Sequence, residues 1–205
     1  MQSQRTWQPA LLGLVLFGMI LASGCLFTSR DPAQPLDSNV DWIRPIEPEA
    51  VIVNMETALE ALQALNYENS LAEDFLFIPH SVDVQEAPAG YYIGWGKSRE
   101  NAAVDKLYEQ VDSLRVEWNF DLNLDLTDFG DSAVVWMGID DDDVDREPYQ
   151  LIVSYTNGEQ IVFEGAARLT LRDEGGQWFL SVWDESFEGF DNSWGRLRAN
   201  LDIGH

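Results

Sequence analysis

The side chains that could carry chemistry in this sequence are few and scattered. His80 and His205 are the two histidines, and Cys25 is the single cysteine. No histidine-rich metal set, no Ser-His-Asp order and no cysteine–histidine pair can be assembled from them. His80, beside Pro79 and near Asp83, is the candidate general base, with an ordinary loop histidine as the plainer reading. Asp140, Asp141, Asp142, Asp143 and Asp145 put five carboxylates into six positions, and hard cations favour such oxygens. They are candidate metal ligands, but Asp145 stands where a calcium loop needs Gly and Leu151 where it needs Glu. A solvated loop with only weak cation affinity is expected. Asp121, Asn123 and Asp125 share one strand face, and such a stripe is usually the wet side of a sheet. Trp95, Trp118, Trp136 and Trp183 are candidates to line a pocket for a flat apolar ligand or a sugar ring. The plainer reading makes them core. No cofactor is implied by any of these residues.

Cys25 gains meaning from what precedes it. A polar start with one positive charge, Arg5, leads into the apolar run Ala10–Leu21 and then Ala22-Ser23-Gly24-Cys25. The run is short for a membrane span, which points to a cleavable signal. The whole resembles a bacterial lipobox, with Ala22 in place of the more usual Leu. The resemblance implies that residues 1–24 are removed and that Cys25 is lipidated. It also implies a bacterial cell envelope location, at the outer rather than the inner membrane, because Leu26 is not a retention signal. Loss of Arg5 would take the formal charge from −24 to −25. A polyanion of this kind is repelled by nucleic acid and gains nothing from an anionic lipid surface. Eight Trp, ten Phe and six Tyr nevertheless exclude a disordered acidic chain.

Positioning falls to one domain. Residues 25–47, with Pro32, Pro35 and Pro45, read as a flexible tether, and residues 48–205 as the globular part. Val51, Met55, Ala58, Leu59, Leu62 and Leu65 recur at helical spacing. A short second helix is expected over Asn69–Phe75, a loop over Ser81–Gly90, and a third helix after Ser98 with Ala103, Val104, Leu107, Tyr108 and Val111 on one face. Strict alternation from Leu114 to Thr127 then predicts one long strand, followed by strands Ser132–Ile139, Tyr149–Thr156, Gln160–Arg172 and Gln177–Asp184. Asn157-Gly158 marks a hairpin.

Helices first and a meander afterwards predict an α+β fold, with helices packed on one face of a curved antiparallel sheet. Tyr67 with Asp74-Phe75, the Ala167–Leu171 strand, Gly176-Gln177-Trp178, Trp183-Asp184 and Ser193-Trp194-Gly195 resemble uncharacterised lipoproteins with a nuclear transport factor 2-like (SnoaL-like) cone. Enzymes of that superfamily carry an Asp or His among tyrosines inside the cone, and their positions have no residue-by-residue match here. The resemblance therefore leaves three functions open: a tethered binding or assembly module, a small-molecule isomerase, dehydratase or hydrolase using a carboxylate or His80, and a structural envelope protein. Expected partners are the membrane through Cys25 and an envelope protein or a small apolar ligand. The Ser132–Ile139 and Gln177–Asp184 strands are apolar on both faces. The aromatic tail from Phe187 is expected to cover the outer face, giving a monomer, with a sheet-to-sheet homodimer as the alternative.

Overall fold

The computed structural model describes residues 42–119, 126–139, 147–187, 190 and 192–203, all within the compact unit Asp37–His205. Cys25, His205, Asp121, Asn123, Asp125 and the acidic loop Asp140, Asp141, Asp142, Asp143 and Asp145 lie outside the described residues.

Pro48 opens helix α1 (Pro48–Glu60), where its missing N–H is harmless and its fixed φ suits the first turn. The helix buries Val51, Ile52, Met55, Ala58 and Leu59. The segment before it is already attached. Asn54 accepts from the Ile43 N–H and donates to the Ile43 carbonyl, and the Pro45 carbonyl accepts from Trp178 N–H. Helix α2 (Ala64–Ser70) follows, and strand β1 (Leu71–Ile78) takes over where the second helix was expected to run on. Tertiary pairing decides this: β1 lies parallel to β8 (Trp178–Asp184), with Phe77 opposite Trp183, and buries Phe75 and Phe77. The region expected as loop holds a short helix α3 (Ser81–Glu86), and α4 (Lys97–Gln110) buries Glu100, Ala103, Val104 and Leu107.

Two expected strands are each broken in two. The alternation from Leu114 is real through β2 (Val111–Glu117), but Asn119 adopts a left-handed φ of 52°. β3 (Leu126–Asp128) then belongs to the other sheet. Likewise β6 (Gln160–Gly165) and β7 (Ala167–Asp173) part at Ala166, because Gly165, Ala166 and Ala167 are buried in succession and shift the phase of alternation. With β4 (Ser132–Met137) and β5 (Tyr149–Tyr155), the result is a five-stranded sheet β1-β8-β7-β4-β3 and a three-stranded sheet β2-β5-β6. Apart from the parallel β1–β8 pair, the ladders are antiparallel. The β5–β6 turn is the expected Asn157-Gly158, with Gly158 at φ 86°.

The outcome is the α+β cone with helices against curved sheets. The tail does not lie where it was expected. It forms α5 (Trp194–Ile203), which packs on α3, α4 and β6 rather than over the outside of the larger sheet. Among the described tail residues, Phe187 reaches that outer face, against Trp136 at 5.9 Å. The core explains the preference: Trp194, Leu197 and Leu201 find buried space beside Val104 and Leu107, whereas the outer face offers only a half-buried surface around Val134, Trp136 and Val182.

The corner between the sheets depends on one missing side chain. A Cβ on Gly165 would stand 2.5 Å from the Tyr149 hydroxyl and 2.8 Å from its ring carbon Cζ. Gly165→Ala should therefore lower unfolding stability by about 1–3 kcal/mol through overpacking, read as a lower urea midpoint at unchanged m.

Candidate functional site

Glu100 is the centre of the interior. It lies in the apolar stripe of α4, with Ala103, Val104 and Leu107, and is fully buried. Its carboxylate accepts from the Tyr67 hydroxyl (2.8 Å), Trp95 Nε1 (2.8 Å), Trp194 Nε1 (3.3 Å), and Nε and Nη2 of Arg198 (both 2.7 Å). Arg198, 1% exposed, reaches it from α5 as a two-pronged ion pair. The guanidinium also stands over the rings of Phe77 at 3.9 Å and Trp194 at 4.6 Å. A bare buried pair loses more to desolvation than it gains by attraction. Here five donors and two aromatic faces offset that loss.

A second acid lies deeper toward the sheets. Glu185 follows β8 and accepts from the Tyr149 hydroxyl (2.6 Å), Trp183 Nε1 (2.9 Å) and the Gly195 N–H (3.1 Å). Burial pushes its carboxyl up to about 7, with Asp83 adding repulsion, while Arg198 and the Tyr149 hydrogen bond pull the other way. Burial likewise drives Tyr149 and Tyr67 well above the ordinary phenol range, and the neighbouring acid of each adds to it. Both phenols are donors, and neither is a ready base. Asp83, on α3, accepts from the Ser193 hydroxyl at 2.7 Å, and burial raises its pKa as well. Trp194 stacks on Trp183 with planes 12° apart and centroids 5.7 Å apart.

The interior thus holds buried acids beside tyrosines, with α5 packed against them. The space between α4 and α5, lined by Glu100, Leu107, Trp194 and Leu201, has no room for a water molecule. A separate hollow of about 570 Å³ opens on the surface around Lys97, Arg99 and Asn101.

Of the candidates named from sequence, Trp95 and Trp183 belong to this network through their indole N–H groups. Trp118 packs against Trp183 at 5.9 Å. Trp136 is on the outer sheet face under Arg168 and Phe187. His80 caps α3, its Nδ1 accepting from Val82 N–H at 3.2 Å. Glu100, Arg198, Glu185 and Asp83 were not among the candidates. A signal existed for the first two: Glu100 and Arg198 each interrupt an apolar stripe at helical spacing (100, 103, 104, 107 and 194, 197, 198, 201) with opposite charges. Among the described residues no group of three His, Cys, Asp or Glu could hold a metal, and no helix is long and apolar enough to cross a membrane.

No known protein family and no curated protein matches the sequence. Solved structures match the fold. A protein from Kribbella flavida aligns over 74% of this chain and 94% of its own at 12% identity, with a TM-score of 0.52. A protein from Novosphingobium aromaticivorans, provisionally assigned as a scytalone dehydratase, aligns over 72% and 91% at 13% identity, with a TM-score of 0.50. At such identities the likeness is one of fold, and it is compatible with enzymes and with other roles alike.

The pairing of Glu100 with Arg198 makes a quantitative expectation. Glu100→Ala strands a buried guanidinium and should cost about 3–5 kcal/mol of unfolding free energy. Adding Arg198→Met removes the stranded charge, so the double variant should recover a measurable part of that loss in urea unfolding. A double variant as unstable as the sum of its single changes would show that the two residues act independently.

Proposed function

We propose that residues 48–205 form a non-enzymatic binding or assembly module, held at the membrane of a bacterial cell envelope by a lipid on Cys25. The observation that carries the first half is the close packing of α5 on α4: no room for a water molecule remains between them, and Trp194 and Arg198 satisfy Glu100 from within the chain. What remains accessible for recognition is the outside, including the half-buried sheet face around Val134, Trp136 and Val182 beside the exposed Leu76. An envelope protein is the partner class such a face suits. The second half rests on the sequence Ala22-Ser23-Gly24-Cys25 after an apolar run. Removal of residues 1–24 and residence at the outer membrane belong to the same reading.

The rival reading, a small-molecule enzyme, has one observation in its favour: Glu185 is an acid held near neutrality beside Tyr149 and Asp83. It requires α5 to leave the interior.

Two measurements on the full-length chain in a bacterial host test the proposal. Wild type should incorporate labelled fatty acid, and Cys25→Ala should accumulate as an unprocessed precursor without the label. A photo-crosslinking residue in place of Val182 should give a discrete protein adduct in cells, while one in place of Val104, inside the core, should not. Lipid label in Cys25→Ala removes the anchor. Absence of any adduct, together with turnover of a small molecule that is lost on Glu185→Gln, decides for the enzyme.

A further inference from the structure

Two buried carboxylates, contributed by different elements, converge on the N-terminal turn of α5. Glu185, 1% exposed, accepts from the Gly195 N–H, and the Tyr149 hydroxyl, itself bonded to Glu185, accepts from the Trp194 N–H at 2.9 Å. Asp83, 3% exposed, accepts from Ser193 Oγ, which in turn accepts from the Arg196 N–H at 2.9 Å. The Gly195 carbonyl accepts from the Tyr92 hydroxyl at 2.7 Å. Glycine is required between the two acids. A Cβ at Gly195 would stand 2.6 Å from Asp83 Oδ2 and 3.3 Å from Glu185 Oε2. The two oxygens are therefore within about 6 Å of each other, where like charges oppose one another's ionisation.

The cations nearby do not neutralise both. Facing the pair are Tyr149 from β5, Tyr92 from the segment before α4, His80 at the start of α3, and Arg196 and Arg198 from α5. Arg198 is committed to Glu100, and Arg196 is 31% exposed and paired with Glu86. Three buried carboxylates thus share one buried guanidinium.

We propose that Asp83 and Glu185 form a proton-operated clasp on the C-terminal helix. With one of the two carboxyls protonated, the first turn of α5 is docked; when both ionise, the turn loosens and uncovers the Trp183–Trp194 stack. This goes beyond the binding-module reading and does not depend on the Cys25 anchor.

The raised pKa of Glu185, about 7 against an ordinary 4.5, fixes the sign. A carboxyl that holds its proton more tightly when docked favours docking at low pH. The advantage shrinks as pH climbs from 4.5 toward 7 and is gone above that. Over this interval the opening equilibrium should rise by on the order of a hundredfold.

Hydrogen exchange of the full-length protein between pH 4.5 and 8.5, corrected for intrinsic rates, reads this directly. Amides of α5 should lose protection up to about pH 7 and then level off, while amides of β7 hold theirs. Glu185→Gln should keep α5 protected throughout, and His80→Gln should leave the wild-type profile intact. Uniform protection of α5 in wild type overturns the clasp, as does a wild-type profile in Glu185→Gln or a profile abolished by His80→Gln. If Glu185→Gln does not fold, Asp83→Asn serves in its place: removing the neighbouring charge should shift the loss of α5 protection to lower pH, and an unchanged profile overturns the proposal.

Discussion

Everything in the interior is arranged around keeping one carboxylate satisfied without water. Glu100 is supplied by α4, and its donors come from α2 (Tyr67), the segment before α4 (Trp95) and α5 (Trp194 and Arg198). A buried acid with a missing donor is costly, so each of these elements is fixed in position by the same constraint. That is why the C-terminal segment is part of the core. The apolar contacts of Leu197 and Leu201 bring energy to the docking of α5, and the ion pair brings register, since Arg198 meets Glu100 in only one rotational setting of the helix.

The aromatic residues complete what the ion pair begins. Phe77 from β1 and Trp183 from β8 form a wall on the larger sheet, and Trp194 lies flat on the latter. Each large ring removes about 150–250 Å² from water, several kcal/mol at about 25 cal/mol per Å². Their polar edges are then a liability, and the indole N–H groups of Trp95, Trp183 and Trp194 are all spent on Glu100 or Glu185. Acids and tryptophans are therefore mutually required here. Together the buried acids and rings brace α5 against α4 and the larger sheet.

The fold class was legible because helical spacing over α1 and α4 and strict alternation over β2 are strong local signals. What local signals could not convey was where strands change sheets. Within Gln160–Arg172 the division falls at the run Gly165-Ala166-Ala167, whose meaning depends on Tyr149 lying across it. β1 was hidden for a related reason: its strand state comes from parallel pairing to β8, a partner remote in the sequence. Of the site, Trp95 and Trp183 were found by residue type. The acids were missed because charge was read as surface, the usual case in a chain this acidic. The expected tail coverage was right about burial and wrong about place, since the aromatic spacing says that α5 must hide one face but not against which neighbour.

The distances along the chain that these bonds span carry a consequence for time. Arg198 and Glu100 are 98 residues apart and Ser193 and Asp83 are 110 apart, so the central contacts close large loops. Such closures form late, after local hairpins such as β5–β6, and topologies rich in them fold slowly, in milliseconds to seconds. An interaction that forms late is absent from the barrier crossed on folding and must be broken on the way back over it. The expected result is an asymmetric influence: the ion pair leaves the speed of folding nearly unchanged and sets how long the finished molecule persists before it opens.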